Sequence, residues 1–354
     1  MKKSAIICGL LMFLSFVKFV FAQDISSADL HISAKSAIVM SVGNGEVLWQ
    51  KNAHEKLSMA STTKIMSSII ACDYISQNGD VLVEITDEML KTEGSSMGLL
   101  LGDKILLSNL VVGMLLPSGN DAANSVAFTV AGNLEDFAVL MNEKAKEIGM
   151  TQSNFVTASG LDSQTHYSTA YDMAKLACLS KKYPLIVDIM KSASKEITYY
   201  SAKYQKEISI TLHNHNKLLS LYEFCDGGKT GYTKKSGRTL VSTATKNNTE
   251  LVAITLNAAD DWNDHIKMYE NAFSKFEEVA FPKEIINIPT AEGFNVNLDI
   301  EECIIQTLGS QKVKQKVFLP KFIYYSSYKN GDVIGEAVYY IDEKEVLRKD
   351  ILKK

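Results

Sequence analysis

Met59-Ala-Ser-Thr-Thr-Lys64, followed at once by Ile65, Met66, Ile69, Ile70 and Tyr74, is the stretch on which the fold turns. The apolar residues recur at helical spacing and predict a helix over Ser61 to Gln77. Three residues apart at its start, Ser61 and Lys64 then share one face and come within reach of each other. A hydroxyl at a helix N-terminus also meets unpaired backbone N–H groups and the positive end of the dipole, which favour a developing alkoxide or oxyanion. For Lys64 to accept a proton near neutral pH its pKa must fall. Burial against Met59, Ile65 and Met66 lowers it, and a second lysine nearby lowers it further. Standing alone, the pair is better explained by an ordinary N-cap serine with a solvated lysine one turn on.

Two later segments change that balance. Ser118-Gly119-Asn120 follows the helix stop Leu115-Leu116-Pro117. Alone it is a turn, since Pro, Ser, Gly and Asn are what turns are made of. In a catalytic reading, Ser118 passes a proton between lysine and leaving amine, and the Asn120 amide holds the substrate backbone. Lys229-Thr230-Gly231 precedes Tyr232 and follows Asp226-Gly227-Gly228. A glycine on a strand edge lets substrate approach closely, and Lys229 with Thr230 can bind a carboxylate. The backbone N–H groups of Ser61 and Tyr232 would together make an oxyanion hole.

Around these segments the periodicity predicts strands at Ala37–Val42 and Gly45–Trp49, joined at Asn44-Gly45, which is a hairpin signal. Helices follow over Leu107–Leu116, Ala122–Ala131, Leu134–Ile148 and Ala170–Lys181. The period then shifts towards two: Ile197–Tyr200, Ile208–Leu212, Thr239–Thr245 and Leu251–Leu256 read as strands, and His265–Phe276 returns to helix. Helices enclosed by N- and C-terminal strands imply a mixed α/β fold of the α+β type, an antiparallel sheet with a helical layer. Phe281-Pro282 marks a boundary. Beyond it, short strands at Ile285–Ile288, Val296–Ile300, Val317–Leu319, Val333–Ile341 and Glu345–Leu347 predict a small all-β domain over 281–354.

The chain opens with Lys2 and Lys3, an apolar run from Ala5 to Val17, and a small Ala22 ahead of Gln23. This is a secretory signal peptide over residues 1–22, so the protein is expected outside the cytoplasm, in the periplasm or at the cell surface. The alternative, an uncleaved anchor, is disfavoured by Lys18, which breaks a run already short for a bilayer. Export permits disulfides, but Cys72, Cys178, Cys225 and Cys303 are too widely spaced for a small-scaffold framework and are expected as free, mostly buried thiols. A formal net charge of −4 over 354 residues gives no electrostatic case for nucleic acid. His213 and His215 lack a third ligand at metal spacing, so neither metal nor cofactor is predicted. The tail from Lys344 reads as a final strand with a charged end, leaving peripheral membrane association at most.

In this order, Ser61-x-x-Lys64 opening a helix, Ser118-x-Asn120 at a helix stop and Lys229-Thr-Gly231 on a late strand form the set of penicillin-binding proteins and serine β-lactamases. Gly94-Ser-Ser-Met-Gly98, Leu116-Pro-Ser-Gly-Asn-Asp-Ala-Ala123, Ser159-Gly-Leu-Asp162, His166-Tyr-Ser-Thr169 and Asp226-Gly-Gly-Lys-Thr-Gly-Tyr-Thr233 extend the match. Residues 27–276 thereby resemble the catalytic domain of the low-molecular-mass D-alanyl-D-alanine carboxypeptidases, and the β-rich tail resembles the small C-terminal domain some members carry. The resemblance implies a penicillin-binding/β-lactamase-like domain and an enzyme that removes the terminal D-alanine of the peptidoglycan stem pentapeptide. Ser61 would attack the carbonyl between the two D-alanines with Lys64 as base, and β-lactams would acylate the same serine.

This sequence departs from the pattern in two places. No Glu-x-x-Leu-Asn segment lies between Asn120 and Lys229 to supply a deacylating glutamate, which disfavours a β-lactamase. Where some family members carry a carboxylate-binding arginine, this chain reads Asp260-Asp-Trp-Asn-Asp-His265, so carboxylate binding is expected to rest on Thr230 and Lys229, with Arg238 the nearby arginine. Other readings of the same residues are a D,D-endopeptidase or transpeptidase, a β-lactam or muropeptide sensor that acylates without turnover, and a scaffold centred on residues 281–354.

Overall fold

The computed structural model of the protein describes residues 15–18 and 30–353, apart from 310 and 322. The signal peptide expected over residues 1–22 thus lies outside the described residues except for β1 (Ser15–Lys18). The chain divides into two units, Asp29–Phe273, and Ser274–Lys354 together with the N-terminal residues.

In the larger unit, β2 (Ser36–Ser41) and β3 (Val47–Lys51) form the hairpin expected at Asn44-Gly45, with Gly45 at φ 72°. Glycine takes this left-handed conformation without steric cost. A 3-10 turn, Ala60–Thr63, leads into α1 (Lys64–Asn78). The predicted opening at Ser61 gives way to one at Lys64 because Thr62 donates both its N–H and its Oγ1–H to the Met59 carbonyl, closing a tighter turn. α1 is buried on every side from Lys64 to Ala71, as befits a helix at the centre of a core.

β4 (Leu82–Glu84), α2 (Asp87–Leu90) and β5 (Lys104–Leu106) lead into α3 (Leu107–Leu115), α4 (Asn120–Ala131) and α5 (Leu134–Glu147). With α6 (Ala170–Ser180), the last three surround α1. The sequence reading did not include α7 (Pro184–Met190), a short helix opening on a proline whose missing N–H costs nothing in the first turn. β6 (Ser194–Ser201) and β7 (Lys206–His213) complete a four-stranded antiparallel sheet in the order β4-β5-β6-β7. After α8 (Leu218–Leu221), the strands β8 (Cys225–Thr233), β9 (Gly237–Lys246) and β10 (Thr249–Ala258) join the hairpin in a five-stranded sheet, β3-β2-β10-β9-β8. Its pairings are all antiparallel, and β8 is an edge strand. α9 (Asp261–Phe273) packs on β9 and β10. It begins earlier than the predicted His265 because Asp261 and Asp264 suit the positive end of its dipole.

The smaller unit is built of β11 (Phe276–Phe281), β12 (Glu284–Pro289), β13 (Asn295–Ile300), β14 (Cys303–Leu308), β15 (Val313–Phe318), β16 (Val333–Ile341) and β17 (Lys344–Leu352). They pair as β1-β15-β16-β17, β11-β14 and β12-β13. Its own core includes Phe281, Leu298, Val313, Ala337 and Tyr339. The tail from Lys344 is a strand, and among the described residues no helix is long and apolar enough to cross a membrane. Cys72, Cys178, Cys225 and Cys303 are free thiols, the last two buried and the first two half-buried.

Candidate active site

The turn that carries Ser61 is fixed from below. The Met59 carbonyl accepts hydroxyl hydrogens from both Thr62 and Thr239, and Ala60 takes a left-handed φ of 46°. Gly160 packs so closely that a Cβ there would lie 1.9 Å from the Ala60 carbonyl oxygen. Ser61 therefore follows a strained residue held by its surroundings, a common setting for functional side chains.

Lys64 lies one turn on, wholly buried, with Nζ 3.0 Å from Ser61 Oγ, 2.7 Å from Asn120 Oδ1 and 2.7 Å from the Ser159 carbonyl oxygen. Burial drives its pKa well below the ordinary lysine value, and the positive Lys229 lowers it further against a smaller opposing pull from Asp121. The expected burial and the expected second lysine are thus both present.

Ser118 and Asn120 are placed by the link between α3 and α4. Ser118 has φ 64°, the left-handed region that side chains avoid, and Asn120 is the first residue of α4. The Asn120 amide donates to the Glu93 carbonyl at 2.5 Å, and its N–H donates to the Ser95 carbonyl at 2.7 Å. The next residue, Asp121, anchors the same loop by accepting from the backbone N–H groups of Met97, Gly98 and Leu99. From β8, Lys229 Nζ reaches Ser118 Oγ at 3.0 Å and the Thr230 carbonyl at 2.8 Å. Burial lowers the Lys229 pKa to about 7. Its ammonium is directed at Ser118, within the protein, where the sequence reading had paired it with Thr230 towards a carboxylate.

Gly231 explains why the third motif ends as it does. A Cβ there would stand 2.9 Å from the Ser61 backbone nitrogen and 2.4 Å from Thr239 Oγ1. The edge strand can lie against the Ser61 turn only if that position carries no side chain. Tyr232 follows, two-thirds exposed. Between the edge of β8 and the Ser118 loop opens a cleft of about 400 Å³ that Ser61, Ser118, Thr230 and Gly231 line. Lys64 and Asn120 stand behind it.

Several further residues contribute to which the sequence reading assigned no part in the chemistry. The Ser159 carbonyl is brought to Lys64 by a loop pinned through His166, whose Nδ1 accepts from the Val156 N–H at 2.9 Å. The proton of the neutral ring must then sit on Nε2, which donates to Thr63 Oγ1 at 2.9 Å. Burial depresses the His166 pKa to about 4, so the ring stays neutral. Ser95, His215, Arg238, Asp261 and Trp262 also line the cleft. Burial lowers the His215 pKa, with the nearby Lys229 adding to the effect. Ser95 lies in a segment of the family resemblance, and Asp261 and Trp262 lie in the segment noted as departing from it. Among the described residues no group of three His, Cys, Asp or Glu gathers as a metal site.

A family model described as D-alanyl-D-alanine carboxypeptidase matches residues 22–260. The chain is 31% identical to the D-alanyl-D-alanine carboxypeptidase DacF of Bacillus subtilis, over 77% of its own length and 71% of that protein. It is 30% identical to the D-alanyl-D-alanine carboxypeptidase DacC of Escherichia coli, over 95% and 87% of the two lengths. Among solved structures, the Streptomyces K15 DD-transpeptidase matches with a TM-score of 0.65 at 27% identity, over 69% of this chain and 98% of that one. The D-alanyl-D-alanine carboxypeptidase DacD from Francisella tularensis shares the fold over 93% of this chain and 94% of its own, with a TM-score of 0.66 at 24% identity.

Proposed function

Because the chain belongs to the D-alanyl-D-alanine carboxypeptidase family of serine peptidases, we propose that it removes the terminal D-alanine of peptidoglycan stem pentapeptides through an acyl-enzyme on Ser61. The observation that carries this reading is the setting of Lys64. A neutral amine has two N–H groups and one lone pair. Asn120 Oδ1 and the Ser159 carbonyl can only accept, so they take the two hydrogens. The lone pair is left for the Ser61 hydroxyl, the one of its three partners that can give a proton.

In the proposed reaction Lys64 takes the Ser61 proton as Oγ attacks the carbonyl between the two D-alanines. The backbone N–H groups of Ser61 and Tyr232 receive the oxyanion. Extended substrate lies along the edge of β8, where Thr230 and Gly231 leave room for a paired backbone, and the Asn120 amide helps hold it. The C–N bond breaks and the leaving amine takes a proton relayed through Ser118, whose hydroxyl is aligned by Lys229. Water then attacks the ester with Lys64 again as base, since a carbonyl, the Ser159 oxygen, and not a carboxylate, borders the lysine here. β-Lactams, which imitate the dipeptide, would stop at the ester. The basic and apolar opening of the sequence supports export, placing the reaction at the cell wall.

The test is to incubate the purified protein with a stem pentapeptide and measure free D-alanine, with and without an amine acceptor, beside labelling by a fluorescent penicillin. Release by the wild type and none by Ser61→Ala is expected. Release that survives in Ser61→Ala refutes the nucleophile. Labelling without release would support a sensor, and a cross-linked product exceeding free tetrapeptide would support a transpeptidase.

A further inference from the structure

We infer that Asp162 recognises a positively charged side chain on the residue that precedes the D-alanyl-D-alanine end, so that the preferred substrate is a stem peptide whose third residue carries a free amine. The inference rests on the carboxypeptidase reading and names the class of substrate its site prefers.

The direction in which substrate crosses the site follows from its parts. Ser118, which passes the proton to the leaving amine, stands at the Lys229 end of β8, where Lys229 Nζ meets its Oγ at 3.0 Å. The departing D-alanine therefore lies at that end. The acyl part runs the other way, past Tyr232 towards Thr233, antiparallel to β8. With the carbonyl under attack received by the Tyr232 N–H, the penultimate D-alanine pairs with Tyr232 and the third residue stands opposite Thr233. Directly opposed residues put their side chains on one face, about 4.5–5.5 Å apart at Cβ. An L-residue at the third position thus directs its side chain to the face that Thr233 shares with Gly231, the face that meets the turn of Ser61.

Asp162 lies on that face. Thr233 Oγ1 donates to Asp162 Oδ1 at 3.0 Å, and Ser58 Oγ donates to the same oxygen at 2.9 Å. The carboxylate is thereby fixed between the end of β8 and the approach to Ser61. The loop that carries it is the one that turns the Ser159 carbonyl to Lys64 and packs Gly160 on Ala60. Both hydroxyls meet Oδ1, and among the described residues Oδ2 has no hydrogen-bond partner. Lys235, on the turn after β8, donates instead to the Ser163 carbonyl at 2.9 Å. Asp162 is exposed. One oxygen of this carboxylate is open, one hydrogen bond beyond the residue that faces the third position. A flexible side-chain ammonium there reaches it and gives a charge-assisted hydrogen bond. An acylated amine loses the charge and with it the contact.

The experiment compares two peptides that share the D-alanyl-D-alanine end and carry either L-lysine or Nε-acetyl-L-lysine before it. They are measured on wild type and on Asp162→Asn, which keeps an oxygen for the Ser58 and Thr233 hydroxyls and removes the charge. In the wild type at low salt, kcat/KM for D-alanine release should be about 3- to 10-fold higher on the lysyl peptide, the size of one charge-assisted hydrogen bond at an exposed site. Raising the ionic strength to about 0.5 M should shrink that preference, since exposed charges are screened. In Asp162→Asn the ratio should fall to about one. A ratio near one in the wild type overturns the inference. So does an equal fall on both peptides in Asp162→Asn, which would make Asp162 a tether alone. If the variant does not fold, the salt series on wild type decides, and a preference that salt leaves unmoved overturns the inference. D-alanine released from neither peptide by the wild type would refute the carboxypeptidase reading, and the inference with it.

Discussion

Lys64 meets an amide oxygen, a peptide carbonyl and a hydroxyl, with no carboxylate among these hydrogen-bond partners, and such surroundings disfavour the ammonium. Removing the positive charge of Lys229 should let the Lys64 pKa rise. In Lys229→Met the acid limb of the pH profile for penicillin acylation should therefore move to higher pH, whatever happens to its height. A limb that stays in place would mean that burial alone sets the value. His166 supplies a stability test of opposite locality. Its folded pKa, about 4, lies below the ordinary 6.5, so between those values the unfolded chain takes up a proton that the folded chain refuses. Stability contributed by the neutral ring is complete above about 6.5 and is lost as pH falls towards about 4. From pH 7 to pH 5 the wild type should lose about 2 kcal/mol on this account, and His166→Gln should show a drop smaller by that amount in urea unfolding. Identical slopes would remove His166 from the balance. Ser61, Lys64, Ser118 and Lys229 could be found in the sequence because three short motifs, each weak alone, occur together in the order that the family resemblance implies. The Ser159 carbonyl could not, since every residue has one and only the folded loop aims it.

β8 and the turn at Ser61 meet with no space to spare, and Gly231 is where they meet. In Gly231→Ala a methyl would press on the Ser61 nitrogen and on Thr239 Oγ1. Displacing the nucleophile or the strand by about 1 Å costs on the order of 100-fold in rate. Penicillin acylation of this variant should fall by at least that much while its thermal midpoint changes little. Wild-type acylation in Gly231→Ala would show that the strand has freedom to retreat. The longer helices and the central strands were readable because their apolar residues repeat with a clear period. The 3-10 turn Ala60–Thr63 was not, because Thr62 and Thr239 fix it through the Met59 carbonyl, and Thr239 comes from far along the chain. Arg238, Asp261 and Trp262 were visible as residues but not as a cluster. Their meeting depends on the β8–β9 register and on α9 starting at Asp261.

Each of the two units has a hydrophobic core among the described residues, one running from Ile38 to Leu256 and the other from Val279 to Ile351. Each element of the cleft lies in the larger unit. A chain ending at residue 273 is therefore expected to fold in one cooperative transition and to keep the wild-type kcat/KM on a soluble pentapeptide. Loss of turnover in a folded, truncated chain would give the β-rich unit a part in the reaction. Proline punctuates the sequence at Phe281-Pro282, and the two compact units part a few residues earlier, after Phe273, ahead of β11, whose partner β14 belongs to the smaller unit. The account as a whole stands on a covalent bond at one atom. Peptide mapping of the protein quenched during turnover of an acyl-D-alanyl-D-alanine substrate should find the acyl group on Ser61. An acyl group on any other residue, or steady release of D-alanine by Ser61→Ala, would contradict it.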